Sequence, residues 1–219
     1  MKEVVYNFNG NAIYRANDDF RLNKSDVIEL EKSKIYSFAG KSDKITFLDD
    51  AKFQKDTFFI SENKRVLDNS KLSRLKEYFD HKVKYYSSEI LGINVGLQLT
   101  NSWFTINKKG GQHHSHRHRN CFISIVFYPE IKEGDIEFSM EDNNLTQHMN
   151  MDFEYTKKTE YNSSFLRITP VKSDIIIFPG WLTHGTLPNP SDQDRIMIGA
   201  NYWVKGTFGN DKNVNELVI

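Results

Sequence analysis

At 219 residues the chain is long enough for one domain with a substantial buried core and requires no second one. Its 29 basic and 29 acidic residues cancel, which excludes a global field drawing it to nucleic acid or anionic lipid and disfavours a nucleic-acid substrate. The single cysteine, Cys121, excludes an internal disulfide framework; with no signal-like N-terminus and no apolar stretch of membrane-spanning length, the expectation is a soluble, cytoplasmic protein without membrane contact.

Residues 1 to about 68 are polar and weakly periodic, with strand-like pieces at Val4 to Phe8 and Thr57 to Ile60, and read as an irregular arm wrapped on the core. From Asn69 and Ser70, plausible N-caps, Leu72, Leu75, Phe79, Val83 and Tyr86 recur at three- and four-residue spacings, which predicts a helix ending before Gly92. The period then changes to that of strands: Gly96 to Ile106, Cys121 to Tyr128 (apolar on both faces), Asp135 to Ser139, Asp174 to Phe178 and Arg195 to Val204. Between the third and fourth strands, Met140 to about Ser164 is polar and too long for a turn, a candidate lid. Many strands, one strong helix and no βα alternation argue for a mainly β (α+β) fold, a sandwich or jelly roll with helices packed outside. The division expected is an N-terminal arm and supporting helix over 1–96 packed on a β core over 97–219, as one structural domain.

The chemistry concentrates in Gly110 to His118, which holds four of the seven histidines, His113, His114, His116 and His118, with His184 downstream in Phe178-Pro179-Gly180-Trp181-Leu182-Thr183-His184. Imidazole is the commonest metal ligand, and on an extended strand residues i and i+2 share a side. His114 with His116, or His116 with His118, can therefore chelate one cation, while His113 and Arg117 face the other way. Such a cluster alone reads as a solvated loop; a third ligand from His184, beside a strand end, strengthens the metal reading. Arg195 opens the last long strand and offers a bidentate fork to an anionic cosubstrate, against an ordinary ion pair with Asp192 or Asp194.

These pieces in order, Ser102-Trp103-Phe104, His116-Arg117-His118-Arg119-Asn120, Ser124-Ile125-Val126-Phe127-Tyr128, Phe178 to His184 and Arg195-Ile196-Met197-Ile198, resemble the 2-oxoglutarate/Fe(II)-dependent oxygenases related to the prolyl hydroxylases, in a branch with a His-X-His motif. The resemblance covers about residues 97 to 204. It implies a double-stranded β-helix of the jelly-roll, cupin-like kind, binding Fe(II) and 2-oxoglutarate and coupling cosubstrate decarboxylation to succinate with oxidation of an unidentified substrate by O2, hydroxylation being the default outcome. His116 and His184 match the two histidine ligands, and His118 stands where most of the superfamily carries a carboxylate. Arg195 matches the arginine that binds the far carboxylate of 2-oxoglutarate, with Tyr128, Ser124 and Asn201 as further candidates for the cosubstrate. Trp103 and Trp181 are candidate pocket walls, with core packing as the competing role, and His114 is left beside the ligand set or in solvent.

Three neutral imidazoles cancel none of the ferrous charge, so iron retention is expected to be weaker without the dianionic cosubstrate, unless Glu141 or Asp142 of the 140–164 segment supplies a carboxylate. Two other readings stand beside this one: a three-histidine cupin-like metalloenzyme that does not use 2-oxoglutarate, and a non-catalytic jelly-roll binding or structural protein.

Overall fold

The computed structural model of the protein describes residues 2–37, 57–140, 153–159, 161–209, 211–213 and 215–219. Its elements in chain order are β1 (Lys2–Phe8), β2 (Asn11–Asn17), α1 (Lys24–Glu31), β3 (Ile35–Ser37), β4 (Phe58–Ser61), α2 (Ser73–Tyr85), β5 (Gly96–Asn107), β6 (Ile123–Glu130), β7 (Ile136–Ser139), β8 (Phe165–Ile168), β9 (Asp174–Pro179), β10 (Thr183–Thr186), β11 (Arg195–Lys205), β12 (Thr207–Phe208) and β13 (Leu217–Val218). Eight strands form one sheet in the order β1-β2-β9-β6-β11-β5-β4-β3, and three form a second, β10-β7-β8. All the pairings are antiparallel. No helix among the described residues is long and apolar enough to cross a membrane.

Strand parity explains the layering. Ile123, Ile125 and Phe127 of β6, Ile175 and Ile177 of β9, and Ile198, Ala200 and Tyr202 of β11 share a core with Leu72, Leu75, Phe79, Val83 and Tyr86 of the α2 segment. The intervening residues Tyr128, Ile176, Phe178 and Met197 pack instead with Ile136, Phe138 and Ile168 of the smaller sheet. The central strands are thus covered on both faces, as their unbroken apolar runs require. The five periodic positions of the helical segment are at most 1% exposed; each such burial stabilises by about 1.5–3 kcal/mol. The helical segment begins with a 3-10 turn whose start is capped by the Asn69 side chain on Lys71 N–H, and it leaves through a π turn over Tyr86–Ile90. Gly92, at φ +66, supplies the left-handed residue after it.

The irregular arm expected over residues 1 to 68 is a correction. β1 and β2 extend one side of the large sheet and β3 and β4 the other. The strand-like pieces Val4 to Phe8 and Thr57 to Ile60 fall on β1 and β4; what an irregular arm lacks is their pairing into the sheet together with β2 and β3. The candidate lid falls largely outside the described residues, Glu141 and Asp142 among them.

Candidate metal centre

The cavity-facing side of the large sheet and the small sheet meet where the histidine segment runs beside β10. His116 and His184 exchange two backbone hydrogen bonds, His116 N–H to His184 O and His184 N–H to His116 O, both 2.9 Å. Thr186 N–H donates to His113 O at 3.0 Å, and His118 N–H to Gly180 O at 2.9 Å. The segment therefore acts as a further strand on the open edge of β10, which fixes its side-chain alternation. Gly185 permits this approach: a Cβ there would sit 2.9 Å from His113 O and 3.1 Å from Ser115 N.

That alternation, with His184 opposite, brings one ligand atom each from His116, His118 and His184 within 4.8 Å of one another. The hydrogen bonds identify which atoms. Nδ1 of His116 lies 2.8 Å from His114 O, and Nδ1 of His184 lies 2.8 Å from Leu182 O. Carbonyl oxygens only accept, so both Nδ1 atoms carry the proton and both Nε2 atoms present lone pairs. His118 Nδ1 has Asn201 Oδ1 at 2.8 Å and Ser124 Oγ at 3.0 Å, which places its proton the same way. Nε2 of His116 and Nε2 of His118 then face each other at 2.9 Å, lone pair to lone pair. Two such lone pairs repel unless a shared Lewis acid lies between them, and a cation there would be held by His116 and His118 together.

Electrostatics favour the same state. Burial, reinforced by His116, pushes His118 down to about 4, against a smaller upward pull from Asn201. Burial likewise lowers His116, and it holds His184, 6% exposed, well below the usual imidazole value. At neutral pH all three are uncharged, the form that ligates. A second group, His113, His114 and His116, also has ligand atoms within 4.8 Å of one another, but it draws on the same His116. His114 is exposed, and His113 stacks on Phe58 with ring centroids 4.8 Å apart.

The cavity lined by the three ligand histidines is also lined by Tyr128 and Thr186. Thr186 Oγ1 accepts from Arg195 Nη2 at 3.0 Å and from His113 N–H at 2.9 Å, joining the arginine to the histidine segment. Arg195 is 1% exposed, and its Nη2 also donates to Leu187 O at 2.8 Å and Gly111 O at 3.3 Å. Its Nε and Nη1, and the hydroxyl of Tyr128, are buried with no hydrogen-bond partner among the described residues. Burial lowers the Arg195 pKa and raises that of Tyr128, which keeps the phenol a neutral donor. Tyr128 and Asp135 offset part of that burial for the guanidinium, and its Nε and Nη1, with the Tyr128 hydroxyl, are donors left to receive an anion. Gly134, at φ +108, lies against the same nitrogen: a Cβ there would be 2.6 Å from Nη1.

The other expected site residues divide. Trp103 lines the cavity and meets His118 edge-on, centroids 5.3 Å apart. Trp181 does not: it is 53% exposed and donates from Nε1 to Asn11 Oδ1 at 3.2 Å, because it sits in the turn between β9 and β10 where strand alternation no longer applies. Ser124 and Asn201 lie on the expected sheet face; the Ser124 hydroxyl and the Asn201 Oδ1 meet His118 Nδ1 and each other. Thr186 and Gly134 went unnoticed in the sequence. Thr186 stands two residues after His184 and so shares its side of β10, a signal visible only once Thr183 to Thr186 is known to be a strand.

Comparison with known proteins agrees with this geometry. Residues 101–201 match the family model described as "Putative 2OG-Fe(II) oxygenase". No curated protein matches the chain. Among solved structures, HygX from Streptomyces hygroscopicus, with nickel, 2-oxoglutarate and hygromycin B bound, superposes with a TM-score of 0.56 at 10% identity, covering 90% of this chain and 83% of its own. SnoN, a non-heme alpha-ketoglutarate-dependent epimerase from nogalamycin biosynthesis, gives 0.57 at 11% identity over 93% and 80%. An oxidoreductase of the 2OG-Fe(II) oxygenase family from Burkholderia pseudomallei gives 0.52 at 8% over 88% and 84%. At these identities the likeness is one of fold, the jelly roll of these oxygenases. The segment similar to the 2OG-Fe(II) oxygenase family model, residues 101–201, spans the three histidines, Tyr128 and Arg195.

Proposed function

We propose that the protein is an Fe(II)- and 2-oxoglutarate-dependent oxygenase, acting as a hydroxylase on a substrate not yet identified. The observation that carries this reading is the buried Arg195 guanidinium, with Nε and Nη1 unpartnered among the described residues, tied through Thr186 to the segment that presents the histidines. A metal-only site has no use for a cation held at that position; a dianionic cosubstrate that also reaches the metal does. Residues 97–219 form the catalytic core in this reading, with residues 1–96 extending the large sheet and supplying the supporting helix.

When bound, iron and 2-oxoglutarate supply oxygen activation coupled to decarboxylation of the cosubstrate to succinate. The chain's own part is positional. His116, His118 and His184 present Nε2 lone pairs to the metal and stay neutral because burial disfavours their protonation. Arg195 and Tyr128 receive the far carboxylate as donors that need no proton transfer. Ile136, Phe178 and Met197, which line the same cavity, keep water from the reacting centre.

The test is to load the protein anaerobically with Fe(II) and 2-oxoglutarate, admit oxygen, and measure succinate with and without candidate substrates. Succinate formation that is lost in Arg195→Ala supports the proposal. No succinate under any condition contradicts it, and succinate-free oxidation of a substrate would favour the three-histidine metalloenzyme that dispenses with 2-oxoglutarate.

A further inference from the structure

Each of the three ligand histidines donates its Nδ1 proton to an oxygen, but the oxygens differ in kind. His116 and His184 use the backbone carbonyls of residues two positions earlier, His114 and Leu182, acceptors that come with the chain whatever its side chains. His118 alone depends on side chains. Asn201 Oδ1 lies 2.8 Å from its Nδ1 and Ser124 Oγ lies 3.0 Å away, and the Ser124 hydroxyl reaches Asn201 Oδ1 at 3.3 Å. Asn201 and Ser124 are register partners across β11 and β6, so two strands of the large sheet converge behind this one ring. Ser124 is 1% exposed.

We propose that Asn201, backed by Ser124, is the positioning residue that makes His118 a metal ligand in the place where a carboxylate is usual. The inference rests on the metal-site reading above and goes beyond it by assigning the choice of tautomer. Neutral imidazole can carry its proton on either nitrogen, and only the Nδ1–H form offers Nε2 to a metal. The amide oxygen of Asn201 has two lone pairs: one accepts the Ser124 hydroxyl, the other the His118 Nδ1–H. With the Ser124 proton directed to Asn201, the hydroxyl cannot donate to Nδ1, which would move the ring proton to Nε2 and aim it at the metal position.

Two consequences separate this from a merely structural role. First, Asn201→Ala releases the Ser124 hydroxyl to donate to Nδ1 and so favours the wrong tautomer; removing that hydroxyl as well, in Ser124→Ala/Asn201→Ala, restores part of what was lost. A packing defect would only deepen with the second truncation. Second, Asn201→Asp keeps the acceptor and adds a negative charge behind the ring, which raises the basicity of the ligand and supplies charge that the three imidazoles lack.

The experiment is anaerobic titration of the full chain with Co(II), followed by its visible bands and by calorimetry, for wild type, Asn201→Ala, Asn201→Asp and the double variant, with circular dichroism melts of each metal-free protein. Asn201→Ala is expected to weaken Co(II) binding about 10–100-fold, Asn201→Asp to bind more tightly than wild type, and the double variant to lie between Asn201→Ala and wild type. The proposal is overturned if Asn201→Ala binds Co(II) within about two-fold of wild type, or if the double variant is weaker than the single one. Should Asn201→Ala fail to fold, the isosteric Asn201→Asp decides alone: weaker binding than wild type overturns the proposal. A wild-type protein that takes up no Co(II) overturns the metal-site reading itself, whereas wild-type binding left untouched by Asn201→Ala overturns only the role given to Asn201.

Discussion

The histidine cluster of the cavity and the Arg195 corner behind Thr186 are prepared in opposite ways. At the metal end every outer nitrogen is satisfied: Nδ1 of His116, His118 and His184 each meets an oxygen at 2.8 Å, and only the inward Nε2 atoms lack a proton. At the anion end the outer atom is satisfied and the rest are not, since Arg195 Nη2 has three acceptors while Nε, Nη1 and the Tyr128 hydroxyl have none among the described residues. The histidine end is uncharged before anything binds; the arginine end holds a buried positive charge that Tyr128 and Asp135 offset only in part. A site built this way binds its metal through geometry and its cosubstrate through charge, and the two are expected to strengthen one another.

Removing the charge breaks the contrast most severely. Arg195→Ala should raise the dissociation constant for 2-oxoglutarate by about 100-fold or more, with Arg195→Lys intermediate because a single ammonium cannot reproduce the fork. Co(II) binding without cosubstrate should remain within about three-fold of wild type, since the carbonyl and amide acceptors behind the histidines are untouched. Calorimetric titration of each ligand separately checks both halves; equal losses for metal and cosubstrate would show that the two ends are not independent.

A subtler change leaves the charge and closes the approach to it. Gly134→Ala adds a methyl where 2.6 Å separates its position from Arg195 Nη1, on a backbone at φ +108 that alanine resists. The expected result is about ten-fold weaker 2-oxoglutarate binding with metal affinity preserved, measured in the same titrations. Thr186→Val acts on the link between the two ends and should cost about three-fold in each affinity, the one variant expected to touch both. If it changes cosubstrate binding alone, Thr186 holds Arg195 without steadying the histidine segment.

The mildest test changes only pH. In the metal-free protein His118 is held at about 4 against a usual value of 6.5, by burial first and by His116 second. Between those values the unfolded chain binds more protons than the folded one, so this contribution to stability is complete above about 6.5 and is lost as pH falls towards 4. The melting temperature of the metal-free protein should drop by several degrees across that window. A flat profile would mean that the histidines are not buried in neutral form.

Much of this was legible locally. Leu72, Leu75, Phe79, Val83 and Tyr86 announce a buried helical face because one face is all that a helix on a sheet buries. Cys121 to Tyr128 announces a strand covered on both sides, and alternation alone puts His116 with His118 and Arg195 with Asn201. What stayed hidden depends on partners distant in the chain. β8 and β10, four residues each, are too short to display a period. Parity turns Ser124 and Asn201 to the cavity side of the sheet but cannot say that they meet each other and His118, which follows from the β11–β6 register. Trp181 reads as a wall only if the strand continues past Pro179, and it does not.

The central claim is that an uncharged metal end and a charged anion end are coupled through a shared dianion. Its most direct test is the anaerobic dissociation constant for Fe(II) measured with and without saturating 2-oxoglutarate. Three neutral imidazoles leave the ferrous charge intact, so the cosubstrate should tighten iron binding by about ten-fold or more, and iron should tighten cosubstrate binding by the same factor. Iron bound equally tightly in both conditions would contradict the account.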